Sequence, residues 1–156
     1  MGTLRISLQR PSENFSWEEA EQTNHRNIDN VIPDELEETI VSTAKKMEAV
    51  RTVLNTVRKC SILVSSWYRC PELNIAVGSS NRSVHPKGTA VDFIAPKFGS
   101  PKEIVAYLMQ YSESLNYDQL IYEKTWVHIG WDPAGKNRSQ VLTLNRDGTY
   151  SQGLVS

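Results

Sequence analysis

One apolar stripe limits the architectures open to this chain. Leu36, Ile40, Ala44, Met47, Val50, Leu54 and Val57 recur at steps of three and four, the spacing that lines up side chains on one face of a helix. Pro33 reads as its first helical position. Asp34, Glu35, Glu37 and Glu38 follow at the positive end of the helix dipole, and Lys45, Lys46, Arg51, Arg58 and Lys59 gather toward the negative end. A helix with one apolar face has to bury it against a second layer. Segments 62–67, 90–95, 119–123 and 126–131 read as strands able to supply that layer, the last two joined by a very short turn as a hairpin. Residues 141–144 add a last edge strand. Shorter helices are predicted from the capping box at Ser16-Trp17-Glu18-Glu19, with Trp17 and Ala20 on its buried side, from Pro71 to a stop at Gly78, and from Pro101. Helices and strands do not alternate regularly, which favours an α+β fold: a small, mainly antiparallel sheet with helices packed on it.

At roughly 100–200 residues per domain, 156 residues make one domain spanning 1–156, with 1–13 and 146–156 expected as peripheral tails. Seventeen Lys and Arg against 18 Asp and Glu leave a net charge of −1. A nucleic-acid-binding surface needs a basic surplus, so nucleic acid is not an expected partner. No apolar run approaches the roughly 20 residues that span a bilayer, and no apolar stretch follows a basic start at the N-terminus. The chain is therefore expected to be made in the cytoplasm without a signal peptide and not to insert into membranes. Cys60 and Cys70 are separated by a strand rising about 3.3 Å per residue, too far for a disulfide, and read as free thiols.

Three residues stand out chemically. Asp92 interrupts the apolar strand Ala90-Val91-Asp92-Phe93-Ile94-Ala95, and a carboxylate there is costly to bury unless it is paired or binds a metal. His85 lies in a long loop, 79–89, of the kind that is usually functional or disordered, and His128 follows in the second hairpin strand. Two histidines and an aspartate suit Zn²⁺, leaving a fourth position for a water that the metal would acidify. The residues alone leave a second reading open, in which Asp92 caps a turn and His128 hydrogen-bonds locally. His25 reads as a plain loop histidine.

The order of the residues adds to this. Ser83-Val84-His85-Pro86-Lys87-Gly88-Thr89-Ala90-Val91-Asp92, followed by Trp126-Val127-His128, resembles the S-x-H-x-x-G-x-A-x-D and W-x-H motifs of the zinc D-Ala-D-Ala carboxypeptidases. That family includes the L-alanyl-D-glutamate endopeptidases of phage endolysins, and the Hedgehog signalling domain shares its fold. Ser65-Ser66-Trp67-Tyr68-Arg69-Cys70-Pro71-Glu72-Leu73-Asn74 is similar to the family segment S-S-G-Y-R-S-P-x-x-N. Phe15-Ser16-Trp17 and Asp118-Gln119-Leu120-Ile121 resemble its phage-type branch. The resemblance implies a Hedgehog/DD-peptidase-like fold, Zn²⁺ held by His85, Asp92 and His128, and Arg69 binding substrate beside the scissile carbonyl. Ser83 would bind substrate or orient its loop, and Gly88 would permit the turn into the Asp92 strand.

The sequence also departs from the pattern. Many members carry a carboxylate three residues before the final histidine, where this chain has Thr125. The nearest carboxylate is Glu123, five residues before His128, and on one continuous strand an odd offset would turn the two to opposite faces. Glu123 serves as general base only if Lys124-Thr125 reverses the chain; Asp118 and Asp132 are weaker candidates. Trp67 replaces a glycine and is expected beside the cleft as a substrate-binding ring, while Trp126 and Trp131 are expected to pack under the site. Cys70 replaces a serine. Two functions follow. One is a zinc peptidase acting on the peptidoglycan stem peptide, released through a lysis pore or carried in a virion. The alternative is a zinc-holding structural or partner-binding module, for example in virion assembly.

Overall fold

Ser16 and Ser100 show how local sequence sets element boundaries in the computed structural model, which describes residues 2–80 and 82–155. Each serine side chain accepts the N–H of a glutamate three residues on, and that glutamate's carboxylate accepts the serine N–H. These capping boxes open α2 (Trp17–Ala20) and α5 (Pro101–Leu108). The long helix α3 spans Glu37–Asn55 behind a short 3₁₀ turn. Its stripe is fully buried from Ile40 through Ala44, Met47 and Val50 to Leu54. Val57, expected to continue the stripe, is instead 47% exposed. The helix stops because the Asn55 side chain folds back, accepting the Cys60 N–H and donating to the Cys60 carbonyl, both at 3.0 Å. Both cysteines are free thiols.

The strands are β1 (Leu63–Ser66), β2 (Ala90–Ile94), β3 (Gln119–Tyr122), β4 (Val127–Gly130), β5 (Gln140–Leu144) and β6 (Tyr150–Gln152), in the order β1-β2-β4-β3-β5-β6. Neighbours are antiparallel except β3 and β5. The expectation for the C-terminus needs correcting. β5 is not the edge, because residues 150–152 pair outside it, and the segment expected to be a peripheral tail is the sixth strand. The Gly153 N–H to Val141 carbonyl and Val155 N–H to Thr143 Oγ1 bonds hold it in place. The other end is tied down too. In α1 (Thr3–Ser7), Arg5 pairs with Glu21 through both terminal guanidinium nitrogens, and the buried Glu37 carboxylate accepts the N–H groups of Gly2 and Arg5.

Alternation along the strands divides the sheet into two faces. Val91, Phe93, Leu120, Val127 and Ile129 point into one core with the α3 stripe and with Ile104, Val105 and Leu108 of α5. Burying each such side chain contributes roughly 1.5–3 kcal/mol. The intervening residues, Asp92 on β2, His128 on β4 and Ile121 on β3, fall on the opposite face. The fold is α+β with a six-stranded, mostly antiparallel sheet.

Candidate metal centre

Asp92 and His128 stand directly opposite each other across the β2–β4 ladder, so strand register alone brings them together. Asp92 Oδ1 is 2.9 Å from His128 Nδ1. His85 arrives differently, from a single 3₁₀ turn (His85–Lys87) that Gly88 ends at φ +77°. A Cβ at Gly88 would lie 2.9 Å from Ile40 Cδ1, and the Gly88 carbonyl accepts from Trp67 Nε1 and Thr43 Oγ1. Glycine therefore satisfies both the backbone conformation and the close approach to α3. The turn brings His85 Nε2 to 3.4 Å from Asp92 Oδ1. One donor atom from each of the three residues lies within 4.8 Å of the others.

The chemistry of these atoms fits a cation. His85 Nδ1 is 2.6 Å from the Trp67 carbonyl, which can only accept, so Nδ1 carries the proton. Burial holds the His85 pKa below its ordinary value against the opposing pull of Asp92, which keeps the ring neutral. Its Nε2 is then a bare lone pair, fully buried and without a hydrogen-bond partner, aimed at a carboxylate oxygen. Burial works against ionising Asp92, but the hydrogen bond from His128, with the Arg69 guanidinium on the other oxygen, holds its carboxyl well below the usual carboxylate range. Two acceptors facing each other in a buried site repel unless a positive ion lies between them, so the cluster can hold a metal.

Around the cluster lies a supporting ring. Asp92 Oδ2 accepts from Arg69 Nη2 at 3.1 Å; Arg69 Nε donates to Ser66 Oγ at 3.0 Å, and Nη1 reaches Asn74 Oδ1 at 3.4 Å. Arg69 thus orients the aspartate while its guanidinium lines the cleft. Ser83 Oγ accepts the His85 N–H at 3.2 Å, which fixes the loop, and Ser83 also lines the cleft. Gly130 leaves room beside His128, where a Cβ would sit 3.3 Å from Nε2.

Glu123 reaches this face because the chain reverses. Its N–H donates to the Trp126 carbonyl and Lys124 takes φ +69°, closing a two-residue hairpin in which Tyr122 pairs with Val127. Counting across the turn rather than along a strand, Glu123 falls on the face of Ile121 and His128, and it lines the same cleft of about 710 Å³ as the metal cluster. Burial, reinforced by the negative charge of Asp92, raises its carboxyl pKa above the ordinary value; His128, Tyr150 and Arg69 oppose this. The weaker candidates line the same cleft but are engaged in other hydrogen bonds. Asp118 takes Arg138 on both oxygens, and Asp132 accepts the Ala134 and Lys136 N–H groups.

Trp67 requires a correction. Its ring is 0% exposed, packed edge-on against Phe15 in the core, and has no surface to offer a substrate. It acts on the site through its carbonyl, which sets the His85 tautomer. Trp126 lines the cleft, whereas Trp131 is buried with its indole N–H on the Leu115 carbonyl. Cys70 caps α4 (Pro71–Ala76) through a Leu73 N–H to Sγ contact.

Two residues of the site escape a sequence reading. Asn30, buried, donates to the Tyr68 carbonyl and accepts the Cys70 N–H, clamping the backbone on both sides of Arg69. No local signal distinguishes it within an Asn-rich loop. Tyr150 on β6 donates its hydroxyl to Glu123. Asp147-Gly148, a hairpin signal just upstream of it, would have pointed to the sixth strand.

A comparison with curated proteins gives no significant match. The model of one family, described as Peptidase M15, matches residues 13–130, well over half of the chain and inclusive of His85, Asp92, Glu123 and His128. With a cation-ready His-Asp-His cluster at its cleft and that match over most of its length, the chain belongs to the Peptidase M15 family.

Proposed function

We propose that this protein is a zinc-dependent peptidase that hydrolyses a peptide bond in the peptidoglycan stem peptide. The observation that carries the proposal is the placement of Glu123, which shares a sheet face with Asp92 and His128, despite its odd offset from His128, and one cleft with both and with His85. The motifs around Ser83–Asp92, Trp126–His128 and Ser65–Asn74 support the cell-wall peptide as the substrate class. Access to that substrate would come by release through a lysis pore or by carriage in a virion.

Zinc held by His85, Asp92 and His128 would supply a Lewis acid that polarises the scissile carbonyl and acidifies the attacking water. The protein's own groups do the rest. Glu123 takes a proton from the water as its oxygen adds to the carbonyl carbon, then returns it to the departing amide nitrogen as the C–N bond breaks. Its raised pKa suits both halves of this exchange. Arg69, fixed by Asp92, Ser66 and Asn74, presents positive charge to the cleft where the carbonyl oxygen gains negative charge. The Ser83 hydroxyl, accepting from His85, still has its proton to donate to a peptide carbonyl.

The test is incubation of zinc-loaded protein with purified peptidoglycan, with released fragments identified by mass spectrometry. A new stem-peptide fragment, absent with His85→Ala, is expected, and its mass names the bond. Glu123→Gln is expected to slow release by about 10²–10⁴-fold with bound zinc unchanged. If zinc-loaded wild type releases nothing, the peptidase reading fails and a metal-holding binding module takes its place.

A further inference from the structure

Glu123 is held at its backbone by the hairpin turn, but its carboxylate is held by little. Among the described residues, one side chain hydrogen-bonds it: the Tyr150 hydroxyl, 3.3 Å from Oε1 and 3.3 Å from Oε2. The phenol sits astride the carboxylate and shares its single proton between the two oxygens. Tyr150 comes from β6, the outermost strand, twenty residues beyond the end of the family-matched span at residue 130. It reaches the cleft because Tyr150 pairs with Leu144, two steps along β5 from Leu142, and Leu142 pairs with Ile121 on the site face. Tyr150, Leu142, Ile121 and Glu123 therefore share one side of the sheet, and Tyr150 and Glu123 line one cleft.

We infer that Tyr150 is a positioning residue for Glu123, and that the C-terminal strand β6 exists in this protein to complete the active site. This rests on the reading of Glu123 as the general base. A glutamate side chain has three rotatable bonds, and the two-residue turn fixes none of them. The phenol, carried on a strand locked to β5 by the Thr143 Oγ1 bond to Gly153 and by the Gly153–Val141 backbone bond, defines where the carboxylate rests. Tyr150 is suited to this because it remains a donor. Burial, with the negative charge of Glu123, pushes its hydroxyl pKa up to about 12, so it keeps its proton across the range in which Glu123 titrates. Among the described residues, the other charged or titratable groups acting on Glu123 are His128, Asp92 and Arg69, all committed to the metal cluster. No other side chain of the cleft, among the described residues, duplicates the contact.

The variant is Tyr150→Phe, which keeps the ring and removes the donor. Two measurements on zinc-loaded protein decide the matter: steady-state hydrolysis of a stem peptide, and a ¹³C NMR titration of the Glu123 carboxyl, assigned with Glu123→Gln. The expected result is a kcat lower by roughly tenfold with KM nearly unchanged, together with a Glu123 pKa higher by about half a unit or more, since the lost bond favoured the ionised form. Equal zinc content and an unchanged thermal midpoint exclude a folding defect. An unchanged kcat, or a loss that appears in KM alone, overturns the inference. An unchanged Glu123 titration overturns it as well, even where wild type shows no hydrolysis. A shifted titration with an inactive wild type keeps the tyrosine–carboxylate link and removes the peptidase reading instead.

Discussion

Val91, Asp92 and Phe93 are consecutive residues on β2, yet their side chains lie in two different environments. Val91 and Phe93 face α3 and α5 in the core, fully buried among apolar groups. Asp92, between them, faces the cleft, where one oxygen meets two histidines and the other meets Arg69. β4 repeats the pattern, with Val127 and Ile129 flanking His128. One face is held by packing; the other gathers charged and lone-pair groups, among them the His85 Nε2 and Asp92 Oδ1 acceptors that repel until a cation lies between them. The core face thereby sets the position of the site face, because a ligand anchored between two buried neighbours cannot move without disturbing the core.

If the faces are separable in this way, damage to each should have its own signature. The largest effect should come from the core. Phe93→Ala is expected to cost about 3–5 kcal/mol in urea unfolding while the protein that remains folded still binds one zinc. Loss of zinc from folded Phe93→Ala would show that the faces are not independent. On the site face, zinc at a thousandfold excess over its dissociation constant should raise the unfolding free energy of the metal-free protein by about 4 kcal/mol. Asp92→Asn should lose most of that gain, and calorimetry with and without chelator reads both.

The smallest effect concerns Glu123 and pH. A carboxyl raised in the folded state binds its proton more tightly there than in the unfolded chain, so its contribution to stability is present at low pH and is lost as pH rises through the raised value. Metal-free Glu123→Gln should therefore match wild type near pH 4 and be modestly more stable near neutrality, read as a difference in thermal midpoint at the two pH values. A variant less stable than wild type at neutral pH would place Glu123 among the groups that hold the fold.

Much of this molecule is legible in its sequence alone. The stripe from Ile40 to Leu54, the capping box at Ser16, the helix start at Pro101 and the hairpin around Lys124-Thr125 are local patterns, and local patterns are written by propensity and hydrogen bonding between near neighbours. Asp92 was conspicuous because an apolar strand has no use for a carboxylate. The errors share one cause. Trp67 was expected beside the cleft, β5 at the sheet edge, and residues 146–156 as tail, and each depends on which elements meet in space.

The sequence by itself determined the central elements, though not α1 or β6, the face each strand residue takes relative to its neighbours, and the set of side chains with metal-binding chemistry. Only the tertiary structure decided that the Trp67 carbonyl sets the His85 tautomer, that Asn30 clamps the backbone around Arg69, and that Tyr150 meets Glu123 across β5. Those contacts join residues 18, 38 or more, and 27 positions apart in the chain. Their partners are ordinary carbonyls, amides and hydroxyls, present throughout any sequence, and strand order and loop closure alone select which of them touch.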